Sequence, residues 1–359
     1  MRQPRYFLPG DLAQYDYSTI FYDVFFNPSH TVLYMVGPPL LNLRKELFPA
    51  HATINGIRHR IRITEYLNKR VTVGAVRIKK KTPLTPSASV VLSFNTRFEH
   101  GFTLDMNRNT PGRTVLTAIQ KDNRIEWIQD WVAHYQSRFG ITDIYIYDNG
   151  SSNRAELRQL EEHISSVHII EWDFPYGIYR SNRNKFAQIG MLNHCRLKYC
   201  QRSLMYNFDI DELLVYSQKD IEKRMKKGKI IKFGHFDVLS ERNLPDTYSF
   251  SDFSRLKLPG EIGSREKYIC RSDRVICNSV HSALHAPFRL VTLWDIFLHI
   301  ISSRILLAVN LFGRMLPMQV VPLRDGYFLH YKAISTDWKN FKRLEYVDAE
   351  EVRYIAQDT

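Results

Sequence analysis

The sequence predicts an α/β protein, a mostly parallel sheet with helices on its faces, preceded by a small β-rich module. Three observations carry that expectation. Before Pro111-Gly112 the apolar residues fall in short alternating or β-branched runs; after it, strand-like and helix-like segments alternate; and two of the later strands end in carboxylates. A chain of 359 residues exceeds what one core usually organises, so a module over 1–112 and a larger domain over 113–359 are expected.

In the first part, Val32 to Val36, Arg58 to Ile63, Val71 to Ile78 and Val90 to Phe94 read as strands, with breaks at Pro38-Pro39, Asn55-Gly56 and Pro83 to Pro86. They suit a small sandwich or barrel. In the second part, Arg113 to Ile119 is a buried strand, and Asp122 is placed to cap a helix in which Ile125, Ile128, Val132, Tyr135 and Phe139 recur at helical spacing until Gly140. A strand at 143–147, a helix near 153–163, a strand at 167–172, a helix over about 183–199 and a strand at 203–208 follow. Alternation of this kind calls for right-handed parallel crossovers.

The charge is +13, and residues 1–112 hold 15 basic against 7 acidic side chains, which favours an anionic partner. Four cysteines, at 195, 200, 270 and 277, match neither a zinc ribbon nor a disulfide scaffold and are expected as free thiols. The first 20 residues carry no apolar run of the signal-peptide kind, so cytoplasmic residence is the expectation. The apolar stretch near 290–321 is interrupted by Asp295, His299 and Arg304; it falls short of the ~20 residues of a membrane span and reads as a buried or interfacial helix.

Ligands in parallel sheets bind beyond the carboxyl ends of the strands. There the sequence places Asp148 and, in Tyr206-Asn-Phe-Asp-Ile-Asp-Glu-Leu-Leu214, Asp209 and Asp211. In extended backbone, residues i and i+2 project to the same side, so both carboxylates would reach one hard cation, Mn²⁺ or Mg²⁺, able to bridge nucleotide phosphates. The helix bearing Arg183, Lys185, Gln188 and Asn193 begins where a helix N-terminus could meet a diphosphate.

The segments Lys121-Asp-Asn-Arg-Ile-Glu-Trp-Ile-Gln-Asp-Trp131, His134-Tyr135, Gly140 to Ser152 and Asn207-Phe-Asp-Ile-Asp-Glu-Leu213 resemble the GT-A core of glycosyltransferase families 2 and 92. The likeness covers roughly 113–240, with an echo in Lys267-Tyr-Ile-Cys-Arg271, Val280-His281 and Leu329-His-Tyr331. Where those families have Lys-Asn-Glu, this chain has Lys121-Asp-Asn123. The resemblance implies a GT-A (Rossmann-like) domain that is an inverting, metal-dependent hexosyltransferase. Its donor would be a nucleotide-sugar, UDP-linked by expectation, and its acceptor a glycan or glycolipid; the basic charge, the apolar segment and the lack of a signal anchor fit surface polysaccharide synthesis at the inner face of an anionic membrane.

By the same resemblance Asp148 contacts the base or ribose, Asp209 and Asp211 hold metal and ribose, and a C-terminal histidine, His281 ahead of His330, completes the coordination. From the helix-start argument, Arg183, Lys185 and Gln188 are expected at the nucleotide-sugar site. Asp237, ahead of Glu241, is the expected catalytic base. The competing reading is a basic polyanion-binding protein without catalysis, although no zinc-finger or RNA-recognition signature accompanies the charge and no nucleic-acid partner is expected. A phosphotransferase would need a phosphate loop, and none is present.

Overall fold

The computed structural model describes residues 15–67, 70–79, 82, 84, 86–95, 98–106, 111–177, 185–227, 230–240, 244–257, 266–285, 319–334 and 352–354. Arg183, Glu241 and almost all of the apolar segment near 290–321 lie outside the described residues.

The N-terminal part contains β1 (Asp23–Phe26), β2 (Val32–Gly37), a short α1 (Leu43–Leu47), β3 (His51–Ile54), β4 (Ile57–Arg60), β5 (Arg62–Tyr66), β6 (Val71–Arg77), β7 (Ser87–Ser93) and β8 (Glu99–Asp105). They form two antiparallel sheets, ordered β1-β2-β6-β5 and β4-β3-β7-β8. Phe26, Leu33, Met35 and Val76 from one sheet and Ala52, Ile54, Val90 and Leu92 from the other share one core. Sequence periodicity does not announce β1, β3 or β8. β8 reads Glu-His-Gly-Phe-Thr-Leu-Asp and buries no residue fully; its ladder with β7 makes it a strand.

The second part begins β9 (Thr114–Gln120), α2 (Ile125–Phe139), β10 (Asp143–Asp148), α3 (Arg154–His163), β11 (Val167–Glu171), α4 (Phe186–Lys198) and β12 (Leu204–Asn207). There follow β13 (Glu212–Val215), α5 (Gln218–Lys227), β14 (Ile230–Phe233), β15 (His235–Val238), β16 (Arg255–Lys257), β17 (Lys267–Arg271), β18 (Val275–Asn278), β19 (Ala283–His285), β20 (Gln319–Val321), β21 (Tyr327–Tyr331) and β22 (Val352–Tyr354). Gly140 ends α2 in the left-handed conformation at φ 58°, which a residue without Cβ adopts freely. Asp122 does not cap that helix. The N-cap is Arg124, and Asp122 instead accepts hydrogen bonds from the Ser152 N–H at 2.6 Å and hydroxyl at 2.8 Å, tying the β9 turn to the β10 turn.

The main sheet is ordered β11-β10-β9-β12-β17-β14-β20 and is parallel except at β17, which runs against both its neighbours. The chain builds outward from β9 to β11 and then returns to lay β12 on the other side of β9. That reversal is the topological switch point where such sheets open a crevice. Gln120 ends one strand there, and Asn207 leads into Phe208 and Asp209 at the end of the other. A second sheet, β13-β21-β15-β16-β22, packs with the main sheet around one core that includes Phe208, Leu214, Phe233 and Phe328.

The β-rich part is not a bead on a linker. Tyr22, Phe25, Val36 and Val73 share a core with Ile119, Tyr147, Trp172, Ala187 and Ile189. α4 receives them: the Tyr22 ring lies 5.2 Å from that of Trp172, and Asp23 accepts from His194 Nε2 and pairs with Lys198 Nζ, each at 2.8 Å. Those partners outweigh the upward push of burial and hold the Asp23 carboxyl down at about 2. The Tyr22 ring fits only because position 190 has no side chain; a Cβ there would stand 2.5 Å from Tyr22 Cε2. Alanine is a better helix former than glycine by about 1 kcal/mol, so Gly190→Ala would stabilise an unobstructed helix. Here overpacking wins, and we expect urea unfolding to show a loss of about 1–3 kcal/mol that shrinks in a Tyr22→Ala background.

Candidate active site

Beyond β12 the chain turns sharply: the Glu212 N–H donates to the Asp209 carbonyl at 3.0 Å. The extended i, i+2 geometry expected for the Asp-x-Asp pair is therefore not what positions it. The two side chains diverge. Asp209 Oδ1 accepts from Gln188 Nε2 at 3.1 Å and Oδ2 pairs with Lys267 Nζ at 2.8 Å, whereas Asp211 Oδ2 lies 3.4 Å from His330 Nε2.

Strand register explains who meets whom. β21 lies between β13 and β15, and His330 is aligned with Glu212 on one side and Asp237 on the other. His330 Nδ1 donates to Asp237 Oδ1 at 3.2 Å. Burial alone would lower the His330 pKa, but Asp211, Asp237 and Glu212 outweigh it and push the imidazole up to about 10. Asp237 also pairs with Lys332 and has His235 Nε2 3.5 Å away. Burial opposes its charge, yet those donors hold its carboxyl well below the usual range, which makes it a weak proton acceptor in this arrangement.

Glu212 and Lys267 are the buried pair of the site. Glu212 Oε2 takes the Asp209 N–H at 2.8 Å and lies 3.0 Å from Lys267 Nζ. Burial pushes the Glu212 carboxyl up even with that ammonium beside it. For Lys267 burial works downward, and the charges of Asp209 and Glu212 overcome it.

Asp148 sits at the end of β10 with no exposed surface, bound by Gln120 Nε2 at 2.8 Å, the Ser151 hydroxyl and Arg154 Nε at 3.1 Å. Gln188, also fully buried, accepts from the Tyr176 hydroxyl at 2.7 Å while donating to Asp209. Lys185 is the N-cap residue of α4, and its charge acts on His281. His281 is separate from the His330 cluster: its Nδ1 donates to the Glu266 carbonyl at 3.1 Å, and burial with Lys267 and Lys185 nearby takes it down to about 4. Asn193 is structural, holding both the N–H and the carbonyl of Asn278.

Among the described residues, two sets offer ligand atoms within 4.8 Å of one another: Asp211, Glu212 and His330, and His235, Asp237 and His330. Carboxylate oxygen with one or two imidazoles suits Mn²⁺ better than an all-oxygen Mg²⁺ cage. His330, second of the two histidines in the sequence reading, is the one that joins them. Sequence alone assigns no part to Lys267, Glu212, His235 or Lys332; the signals are that Glu212 closes the Asp-x-Asp segment and that Lys267 opens Lys267-Tyr-Ile-Cys-Arg271. All four cysteines are buried thiols, with Cys195 and Cys200 sulfurs 3.7 Å apart. No helix among the described residues is long and apolar enough to cross a membrane.

The fold and site thus define a mixed α/β protein that gathers carboxylates and histidine beside the switch point of a mostly parallel sheet. Its sequence matches glycosyltransferase family 92 over residues 118–359, two thirds of its length, and the chain belongs to that family. Among solved structures it is similar to S. aureus TarS 1–349, with 9% identity and a TM-score of 0.32; the match covers 61% of this chain and 60% of that one. No curated protein matches the sequence.

Gln188 is the link from α4 to Asp209. Gln188→Leu keeps the volume but strips Asp209 of a donor and Tyr176 of its acceptor, so denaturant unfolding should show a loss of about 2 kcal/mol. Unchanged stability would mean that Gln188 only fills space.

Proposed function

We propose that the chain is a metal-dependent GT-A glycosyltransferase that moves a hexosyl group from a UDP-sugar to a hydroxyl of a glycan or glycolipid. One observation carries this reading: in a chain of family 92, Asp211 meets His330 at the carboxyl edge of the sheet, beside the pinned Asp209. Asp211 and His330 are the residues to hold Mn²⁺ or Mg²⁺, while Glu212 beside them is engaged by Lys267. When bound, the cation supplies positive charge against the diphosphate as it leaves.

The protein's own groups do the rest. Asp209, fixed by Gln188 and Lys267, is oriented toward the ribose, and Asp148 with its Gln120 and Ser151 partners shapes the base pocket. Lys185 at the head of α4, with Arg183 before it, attracts the diphosphate. Asp237 orients His330 by accepting from Nδ1; it becomes the base of an inverting displacement only when Lys332 releases it. We read the acceptor as a surface polysaccharide or its lipid-linked precursor, at an anionic membrane face suited to the basic N-terminal part.

Calorimetric titration of UDP tests the core of this reading. Wild type should bind UDP at least tenfold more tightly with Mn²⁺ than without, and Asp211→Asn and His330→Ala should each abolish that difference. Equal UDP affinity with and without metal in all three proteins would remove the metal from the proposal; no binding of any nucleoside diphosphate would remove the donor class.

A further inference from the structure

Lys267 lies on β17, in the interior of the seven-stranded sheet, with 1% of its side chain exposed. An ammonium so placed has lost nearly all its hydration, and it persists only where anions replace water around it. Two do: Asp209 Oδ2 at 2.8 Å and Glu212 Oε2 at 3.0 Å. Two carboxylate oxygens from residues three apart on one turn, converging on a buried positive charge, are a pair that a hard divalent cation could take as part of its oxygen shell. Here a side chain of the protein supplies the charge.

The rest of the geometry shows how completely these two residues are committed. Asp209 gives its other oxygen to Gln188, and the same Glu212 oxygen that meets Lys267 also takes the Asp209 N–H. Asp211, which stands between them in sequence, turns the other way and meets His330. Of three acidic residues in a row of four, two therefore serve the ammonium and one is left to His330.

We propose that Lys267 is a built-in cation that pins Asp209 and Glu212 and so confines an exchangeable divalent ion to Asp211 and His330. It is a positioning residue, acting on the metal through the carboxylates it holds. The proposal rests on the metal-dependent reading above, and its test is arranged to fail separately from that reading.

The test is Mn²⁺ titration of the full chain, without nucleotide, followed by the loss of the free-ion electron paramagnetic resonance signal. Wild type should bind one Mn²⁺. Lys267→Met should bind two, with a melting temperature that Mn²⁺ raises far more than it raises wild type, because the freed carboxylates take an ion in place of the ammonium. One ion at wild-type affinity in folded Lys267→Met overturns the proposal and leaves the metal reading standing. If wild type binds none, whether or not Lys267→Met binds one, no ion is confined to Asp211 and His330 and the proposal is overturned, while the metal reading is decided separately by the UDP titration. Should Lys267→Met not fold, the double variant with Asp209→Asn replaces the ion pair with a neutral amide. It must fold and, with Glu212 released toward Asp211, bind one Mn²⁺ about tenfold more tightly than wild type; failure to fold or unchanged affinity overturns the proposal.

Discussion

A lysine ammonium inside a sheet is the constraint around which this site is arranged. Removing such an ion from water is opposed by several kcal/mol, and attraction to nearby anions offsets this only if they stay close and keep their own hydrogen bonds. Asp209 and Glu212 meet that condition for Lys267 because the turn between β12 and β13 is closed by the Glu212 N–H on the Asp209 carbonyl and by the Asp209 N–H on the Glu212 carboxylate. The ion pair also spans two sheets: Lys267 belongs to the seven-stranded sheet and Glu212 to the five-stranded one. The two sheets share a hydrophobic core, and this ion pair ties them together at the turn that carries Asp211, whose meeting with His330 follows from the pairing of β13 with β21.

Much of the α/β architecture can be read from sequence because it is local. β9 through β12 and the three helices between them show strand and helix periods within short windows, and Gly140 and the carboxylates at the strand ends mark the boundaries. Asp122 is misread as a helix cap because an aspartate before a helical pattern is a common cap, yet its side chain can equally bind a neighbouring loop, and Ser152 offered two donors. The second sheet is hidden for another reason. Its strands are short, and β21 pairs with β13 across more than a hundred residues of chain. Single-sequence periodicity carries no information about such partners.

The candidate site divides along the same line. Asp209, Asp211 and Asp148 are legible as strand-end acids, and His330 as one of two histidines in an echo segment. The choice between His281 and His330 is made by register, since His330 alone lies between Glu212 and Asp237 while His281 is turned to the Glu266 carbonyl. Lys267 illustrates the limit most sharply: in the sequence it is an ordinary basic residue at the start of a strand, and only pairing of β17 with β12 brings it to the Asp-x-Asp turn.

The N-terminal part changes meaning once α4 is seen as the element between it and the site. Its exposed residues Arg58, Arg60, Arg62 and Arg77 contribute to the basic surplus, but the residues that share a core or an ion pair with α4 are aromatic, aliphatic or acidic: Tyr22, Phe25, Val36, Val73 and Asp23. His194, which donates to Asp23, is also bound by the Tyr147 hydroxyl at 2.7 Å, one residue before Asp148. Six positions earlier on α4, Gln188 holds Asp209. The Tyr22 ring sits in the glycine notch of α4, and the buried His194 is shared with the main sheet through Tyr147. These contacts make the first sheet a brace that fixes the position of α4, and through Gln188 the position of Asp209, so the β-rich part and the carboxylates belong to one mechanical unit.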